Sequence, residues 1–162
     1  MRTILFLDID GVLTTRAWLG RPLRHLIYNL DFSHLTALHP EKVRWLQWLF
    51  SNNPDLELVY STSWRKFVGA KRISEMLGIY GFKHQDRVVG ETGDHAGSRS
   101  LEIANWLSTQ DGDFRVITWD DEVSEQSDGP LKGYERLIVH TDFEIGITRD
   151  QVELTDDYLK GV

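Results

Sequence analysis

The segment ILFLDIDGVLT, residues 4–14, constrains the fold of this chain more than any other. It begins with an unbroken apolar run, which is typical of a strand buried on both faces of a sheet. Asp8 and Asp10 follow, one residue apart, and Gly11 comes next. A carboxylate at the end of a buried strand is costly to desolvate unless a cation binds it. The segment therefore predicts a strand over residues 3–9 that ends in a cation-binding turn.

Beyond this strand, short apolar segments alternate with segments of helical periodicity. Further strands are predicted at residues 56–61, 87–90, 114–119 and 135–141, and helices at residues 40–50, up to Gly78, at 99–108 and from Thr148 to about residue 160. Strands that alternate with helices imply a parallel sheet between helical layers. We therefore predict a three-layer α/β, Rossmann-like fold, with residues 1–162 forming a single domain.

Length and composition exclude several classes of function. A chain of 162 residues suits one domain, and its net charge of −7 argues against a protein that coats DNA. We expect no sequence-specific DNA binding. The chain has no cysteine, which excludes disulfides and thiolate metal sites and favours a reducing cytoplasm. Its N-terminal segment has neither the cleavage site of a signal peptide nor the length of a membrane span, so we expect no membrane partner.

Polar residues end three strands of the predicted sheet. They are Asp8 and Asp10 after the first strand, Ser61, Thr62 and Ser63 after the second, and Asp120 and Asp121 after the fourth. Because ligands of open parallel sheets bind outside the carboxyl ends of the strands, we expect these groups to meet at one edge. Carboxylates that lie together raise one another's pKa unless a divalent cation lies among them, and ligation by oxygen alone suits Mg²⁺. The sequence therefore predicts a magnesium site.

Such a site is suited to phosphoryl chemistry. A carboxylate can attack phosphorus and form an aspartyl-phosphate, provided that a metal and hydrogen-bond donors screen the charge of the phosphate. Gly11 allows backbone N–H groups to approach a phosphate closely. Hydroxyls after the second strand and a cation at a helix start are the expected partners of the other phosphoryl oxygens.

The motif DIDGVLT resembles the first motif of the haloacid dehalogenase (HAD) superfamily of phosphatases, DxDGxxx at the end of the first strand. LVYSTSW resembles the second motif, SRSLEIANWL the third and VITWDD the fourth. The chain resembles most the small HAD domain of RNA-repair multidomain proteins and of many phage and bacterial proteins, in which strings similar to STSWR, VVGETG and a late GIT recur. The resemblance covers nearly the whole chain and implies a HAD-like fold.

The resemblance implies roles for the acidic residues. Asp8 would be the nucleophile. Asp10 would be the general acid that protonates the leaving oxygen and the general base that then activates water. Asp8, the main-chain carbonyl of Asp10, and Asp120 or Asp121 would hold Mg²⁺.

The resemblance also implies roles for residues of the second and third motifs. Thr62 is the favoured hydroxyl of the second motif, with Ser61 as the alternative. Arg99 would be the cation of the third motif, where the superfamily more often has lysine; arginine keeps the charge and can bind phosphate through two nitrogens. Alternatively, Arg99 is a surface helix residue paired with Glu102. The expected substrate contacts beside these residues are Gly11, Ser63 and Arg65.

The sequence says less about the substrate. Residues 15–39 form a modest insertion or flap after the first motif, and neither they nor residues 66–98 are long enough for a full cap domain. An uncovered site admits large substrates such as a nucleic-acid end, and we predict nucleotides or 3′- or 5′-phosphate ends as substrates. Arg16, Arg21 and Arg24 form a cationic group in the insertion that is suited to further phosphates.

Two classes of function remain open. One is a Mg²⁺-dependent phosphomonoesterase, and the other is a catalytically inactive phosphate-binding or protein-interaction module, since a fold alone does not set function. Two aspartates, a hydroxyl, a cation and an acidic pair are present together, which favours the enzyme. An inactive module has no need of all these groups.

Overall fold

A five-stranded parallel sheet forms the centre of the fold in the computed structural model, which describes residues 1–19, 37–94 and 98–162. Its strands are β1 (Arg2–Leu7), β2 (Leu56–Tyr60), β3 (Val88–Glu91), β4 (Phe114–Asp120) and β5 (Glu135–His140). Their spatial order is β3-β2-β1-β4-β5, with every neighbouring pair parallel. The central position of β1 explains its unbroken apolar run, because residues 4–7 are completely buried.

Helices follow most of the strands. They are α1 (Arg16–Leu19), α2 (Pro40–Asn52), α3 (Gly69–Ile79), α4 (Arg99–Ser108) and α5 (Arg149–Lys160), with short 3₁₀ helices at Ser63–Lys66, Gln85–Arg87 and Gly129–Leu131. Pro40 begins α2, where its missing N–H costs no hydrogen bond. Thr148 and Gln151 form the predicted capping box at the start of α5.

The sheet separates two apolar cores. Leu5 and Leu7 point into a core shared with α2, α3 and α5, whereas Ile4 and Phe6 point into a core shared with α4. This division follows from the alternation of side chains along a strand. The predicted three-layer α/β fold with a parallel sheet is therefore confirmed.

The predicted elements agree with the observed ones to within a few residues at their ends. The largest strand difference is at β1, which ends at Leu7 instead of residue 9 because the chain then turns out of the sheet. The carbonyl of Ile9 accepts hydrogen bonds from the N–H groups of residues 12, 13 and 14. In the described part of the chain, no insertion has the size of a cap domain. A single domain over residues 1–162 stays a prediction.

Residues 20–36 of the predicted insertion lie outside the described residues. Within the ranges that are described, no helix combines the length and apolar character needed to cross a membrane.

Candidate active site

The loop after β1 places two aspartates at the carboxyl edge of the sheet. Asp8 is buried, and its Oδ1 accepts a hydrogen bond from the N–H of Ile9 at 2.7 Å. Asp10 is partly exposed, and its Oδ1 accepts from the hydroxyl of Thr14 at 3.1 Å. Gly11 has φ of +73°, a conformation that side chains disfavour. The two aspartates therefore differ in environment: one is enclosed, and the other is accessible to water and held by a hydroxyl.

A segment after β5, residues 141–148, binds the loop after β1 and is called the support loop here. The Thr141 hydroxyl donates to the carbonyl of Gly11 at 2.7 Å, and the N–H of Ile147 donates to the carbonyl of Val12 at 3.0 Å. The ammonium group of Lys42 in α2 donates to the carbonyl of Ile147 at 2.6 Å. The support loop thus holds the loop after β1 in its conformation, a role that only the late GIT string signals in the sequence.

An acidic cluster lies beside the loop after β1. Carboxylate oxygens of Asp8, Asp120 and Asp121 lie within 4.8 Å of one another. Burial raises the pKa of Asp120 to about 7, although Arg99 opposes the shift. Burial, followed by the charge of Asp120, raises the pKa of Asp8 well above its usual value. Burial and then Glu122 raise the pKa of Asp121.

The acidic cluster suits a divalent cation. Its ligand atoms are carboxylate oxygens, which Mg²⁺ prefers, and a cation among them would relieve the repulsion that raises their pKa values. Oδ2 of Asp120 is buried and accepts no well-oriented hydrogen bond from the described residues. The side chain of Asp10 does not belong to this cluster.

Arg99 contacts the acidic cluster from the first residue of α4. Its side chain is only 9% exposed, with Nε 3.1 Å from Oδ2 of Asp120 and Nη2 3.6 Å from Oδ2 of Asp8. Burial opposes its charged form, but four nearby carboxylates together more than compensate and raise the pKa of Arg99; they are Asp8, Asp120, Glu122 and Glu102. Arg99 also pairs with Glu102, at 3.2 Å, yet both side chains are buried. Arg99 and Glu102 are therefore not the surface ion pair that the sequence left open as an alternative.

The end of β2 supplies a hydroxyl to the site. Thr62 is buried, and its Oγ1 accepts from the N–H of Trp64 at 3.3 Å. Its hydroxyl lies beside the carboxylate of Asp8, where it opposes the rise in the pKa of Asp8 that burial causes. Ser61 is also buried, but its hydroxyl has no hydrogen-bond partner in the described part of the chain. Ser63 is partly exposed and begins a 3₁₀ helix. The contact with Asp8 favours Thr62 over Ser61 as the hydroxyl of the second motif.

Arg65 joins three segments around the site. Its side chain is 7% exposed and donates to the carbonyls of Thr62 and Gly93 and to Oε1 of Glu102 at 3.1 Å. Gly93 belongs to the string VVGETG, so this contact gives that string a structural role. A substrate contact by Arg65 stays a prediction, since its guanidinium already binds these protein atoms.

The predicted cationic group of the insertion is described only at Arg16. This side chain is 72% exposed and forms a 3.0 Å ion pair with Glu144 of the support loop. Arg21 and Arg24 lie outside the described residues.

Comparison with known proteins links this geometry to a family. A family model described as the HAD domain in Swiss Army Knife RNA repair proteins matches residues 4–152. Among solved structures, the HAD domain of the effector protein Lem4 from Legionella pneumophila is similar, with a TM-score of 0.55 and 14% identity over 98% of this chain and 95% of that chain. Its inactive mutant aligns with a TM-score of 0.54 and 13% identity over 99% and 94% of the two chains. At this identity the likeness shows the fold alone.

No curated protein matches the chain.

Proposed function

Because the chain belongs to the family of HAD domains found in Swiss Army Knife RNA repair proteins, we propose that it is a Mg²⁺-dependent phosphomonoester hydrolase. One observation carries the proposal. The buried carboxylate of Asp8 lies within reach of two further carboxylates, the Arg99 guanidinium and the Thr62 hydroxyl. The groups that the proposed reaction needs as nucleophile, cation ligands and donors to phosphoryl oxygens therefore lie close together, which supports the proposal.

In the proposed reaction, an oxygen of Asp8 attacks phosphorus, the new O–P bond forms, and the bond to the leaving oxygen breaks. Asp10 gives its proton to that oxygen. Asp10 then takes a proton from the water that attacks phosphorus of the aspartyl-phosphate. The bond between Asp8 and phosphorus breaks, which releases phosphate and regenerates Asp8. The hydroxyl of Thr14 binds Oδ1 of Asp10 and so orients this carboxyl group, while its partial exposure gives access to water.

Asp8, the main-chain carbonyl of Asp10, and Asp120 or Asp121 would hold Mg²⁺, which screens the repulsion between a carboxylate nucleophile and an anionic phosphate. Thr62 and Arg99 would donate to phosphoryl oxygens. Arg99 keeps its positive charge at neutral pH, because arginine has a very high pKa and the neighbouring carboxylates raise it despite burial.

For the substrate, we propose nucleotides or nucleic-acid 3′- or 5′-phosphate ends. The description of the family refers to RNA repair proteins. Within the described residues no cap domain covers the site, and this supports a large substrate.

The basic test is release of p-nitrophenol from p-nitrophenyl phosphate. We expect turnover with Mg²⁺, its loss in EDTA and its return when Mg²⁺ is added. Full turnover in EDTA would contradict the metal requirement. No hydrolysis of nucleotides, phosphorylated oligonucleotides, sugar phosphates or phosphopeptides would instead indicate an inactive phosphate-binding module.

The role of Asp10 is tested by changing the leaving group. Asp10→Asn removes proton transfer, which contributes about 10²- to 10⁴-fold, but keeps the main-chain carbonyl. Since p-nitrophenolate leaves without a proton and a sugar alkoxide does not, the single-turnover burst should slow much more with a nucleotide than with the nitrophenyl ester. Equal slowing of both bursts would contradict the assignment.

A further inference from the structure

Glu102 binds two arginines at once. It lies one helical turn after Arg99 in α4, and its side chain is 10% exposed. Its Oε1 accepts from Nη2 of Arg65 at 3.1 Å, and its Oε2 accepts from Nη1 of Arg99 at 3.2 Å. A buried carboxylate between two guanidinium groups forms strong charge-assisted hydrogen bonds on both sides.

One of these arginines is anchored independently of Glu102. Arg65 also binds the carbonyls of Thr62 and Gly93, which follow β2 and β3. The guanidinium of Arg65 is therefore fixed to the edge of the sheet, and it in turn fixes Oε1 of Glu102. Oε2 is then held in a constant position facing Arg99.

The other arginine is attracted in two directions. Glu102 binds Nη1 of Arg99, while Nε and Nη2 lie 3.1 Å and 3.6 Å from oxygens of Asp120 and Asp8. These two aspartates are proposed metal ligands. Nε and Oδ2 of Asp120 are not aligned for a hydrogen bond, and the 3.6 Å from Nη2 to Asp8 is too long for one. A guanidinium that turned to donate to both aspartates would occupy the carboxylate oxygens that a cation needs.

We propose that Glu102 is a positioning residue, which holds Arg99 in an orientation that donates no hydrogen bond to Asp8 or Asp120 and so keeps both carboxylates available to Mg²⁺. The inference rests on the proposed function for the identity of the metal. It concerns a residue that lies outside the acidic cluster and acts only through Arg99.

The test is a double-mutant cycle on Mg²⁺ affinity, measured by isothermal titration calorimetry without substrate. We expect Glu102→Gln to weaken Mg²⁺ binding about tenfold, equivalent to about 1.4 kcal/mol. In an Arg99→Met background the same substitution should change the affinity less than twofold, since the competing guanidinium is gone. Equal weakening in both backgrounds would overturn the proposal.

Glu75→Gln is the matched control. Arg72 and Glu75 form an ion pair of the same spacing at 3.1 Å, but on the exposed surface of α3. This variant should bind Mg²⁺ like the wild type. If it weakens binding as much as Glu102→Gln, the effect is one of net charge and the proposal fails.

Glu102→Asp gives a second test that does not require Arg99→Met to fold. It keeps the charge but shortens the side chain by one methylene, so it cannot reach both arginines. We expect it to weaken Mg²⁺ binding as Glu102→Gln does, and a wild-type affinity would overturn the proposal.

The two proposals fail in different ways. If the wild type binds Mg²⁺ but hydrolyses no phosphomonoester, while the effect of Glu102→Gln on Mg²⁺ affinity still depends on Arg99, only the proposed function is contradicted. If the wild type is an active phosphatase but the effect of Glu102→Gln does not depend on Arg99, only the role of Glu102 is contradicted.

Discussion

The acidic cluster and the support loop both adjoin the loop after β1, but their polar groups are satisfied to different degrees. In the support loop, the contacts to Gly11 and Val12 are hydrogen bonds of 2.7 Å and 3.0 Å. In the acidic cluster, burial raises the pKa values of Asp8 and Asp120, and a buried oxygen of Asp120 has no well-oriented donor. The support loop thus pairs these backbone carbonyls, whereas the acidic cluster keeps buried negative charge that a cation would neutralise.

Because of this difference, we expect the acidic cluster to matter for activity and the support loop for stability. Like charges held together in a buried site reduce the stability of the fold, and their retention is expected where they act on a ligand. Satisfied hydrogen bonds between distant segments stabilise the fold. Substitutions in the acidic cluster should therefore reduce activity with little loss of stability, and substitutions in the support loop should do the reverse.

The largest effect is expected from Asp8→Asn. It removes the proposed nucleophile, so turnover should fall by about 10⁴-fold or more, as for other covalent catalysts that lose their nucleophile. Without metal, the melting temperature should stay the same or rise, because burial and then Asp120 disfavour the charged form of Asp8, and Arg99 keeps Asp120 and Glu102 as partners. Activity assays and thermal unfolding in EDTA measure the two effects. A melting temperature several degrees below the wild type would contradict the comparison.

Gly146→Ala should produce the largest loss of stability. Gly146 lies in the support loop with φ of +72°, and a Cβ there would lie 2.6 Å from the carbonyl oxygen of Val12. Because that neighbour is backbone and cannot rotate away, we expect a loss of about 3 kcal/mol in the free energy of unfolding. Urea denaturation gives this value, and kcat per folded molecule should change less than the folding equilibrium.

Gly11→Ala is the matched substitution at the acidic cluster. Gly11 has nearly the same φ, +73°, but its Cβ would lie 2.6 Å from Oδ2 of Asp121, a side chain that can move. We expect a loss of only about 1–2 kcal/mol in stability, from the backbone conformation. Displacement of Asp121 should lower kcat more than Gly146→Ala does. If the two alanine variants lose stability and activity in the same proportion, the distinction between the two regions fails.

The fold was predictable because its signals are local. An unbroken apolar run predicted β1, and the spacing of Thr148 and Gln151 predicted the start of α5. The positions of Asp8 and Asp120 at the ends of parallel strands also placed both of them at the same edge of the sheet. The strand and the helix start each depend on a few neighbouring residues, and the shared edge follows once the strands are known to be parallel.

The contacts that hold the site together were not predictable in this way. Thr141 and Gly11 are separated by 130 positions, and no local pattern connects them. Arg65 follows the second motif directly, and the sequence therefore predicted a substrate contact for it. Its hydrogen bond to the carbonyl of Gly93, which follows β3, could not be read from that position. Glu102 was visible only as a helical neighbour of Arg99, since its burial and its second arginine depend on how α4 packs against the sheet.

The smallest effect concerns the one described arginine of the cationic group. Arg16 and Glu144 are 72% and 56% exposed, and such pairs contribute about 0–1 kcal/mol, so neither Arg16→Ala nor Glu144→Gln should alter stability measurably. If Arg16 binds a second phosphate of the substrate, Arg16→Ala should raise KM for a phosphorylated oligonucleotide about twofold to fivefold, with KM for p-nitrophenyl phosphate unchanged. Glu144→Gln removes the competing carboxylate and should lower the oligonucleotide KM, an effect that added salt reduces. If KM for the oligonucleotide rises in Arg16→Ala and falls in Glu144→Gln, the large substrate lies beside the support loop. Unchanged KM values in both variants would show that this ion pair has no part in substrate binding. The support loop would then act only on the stability of the loop after β1.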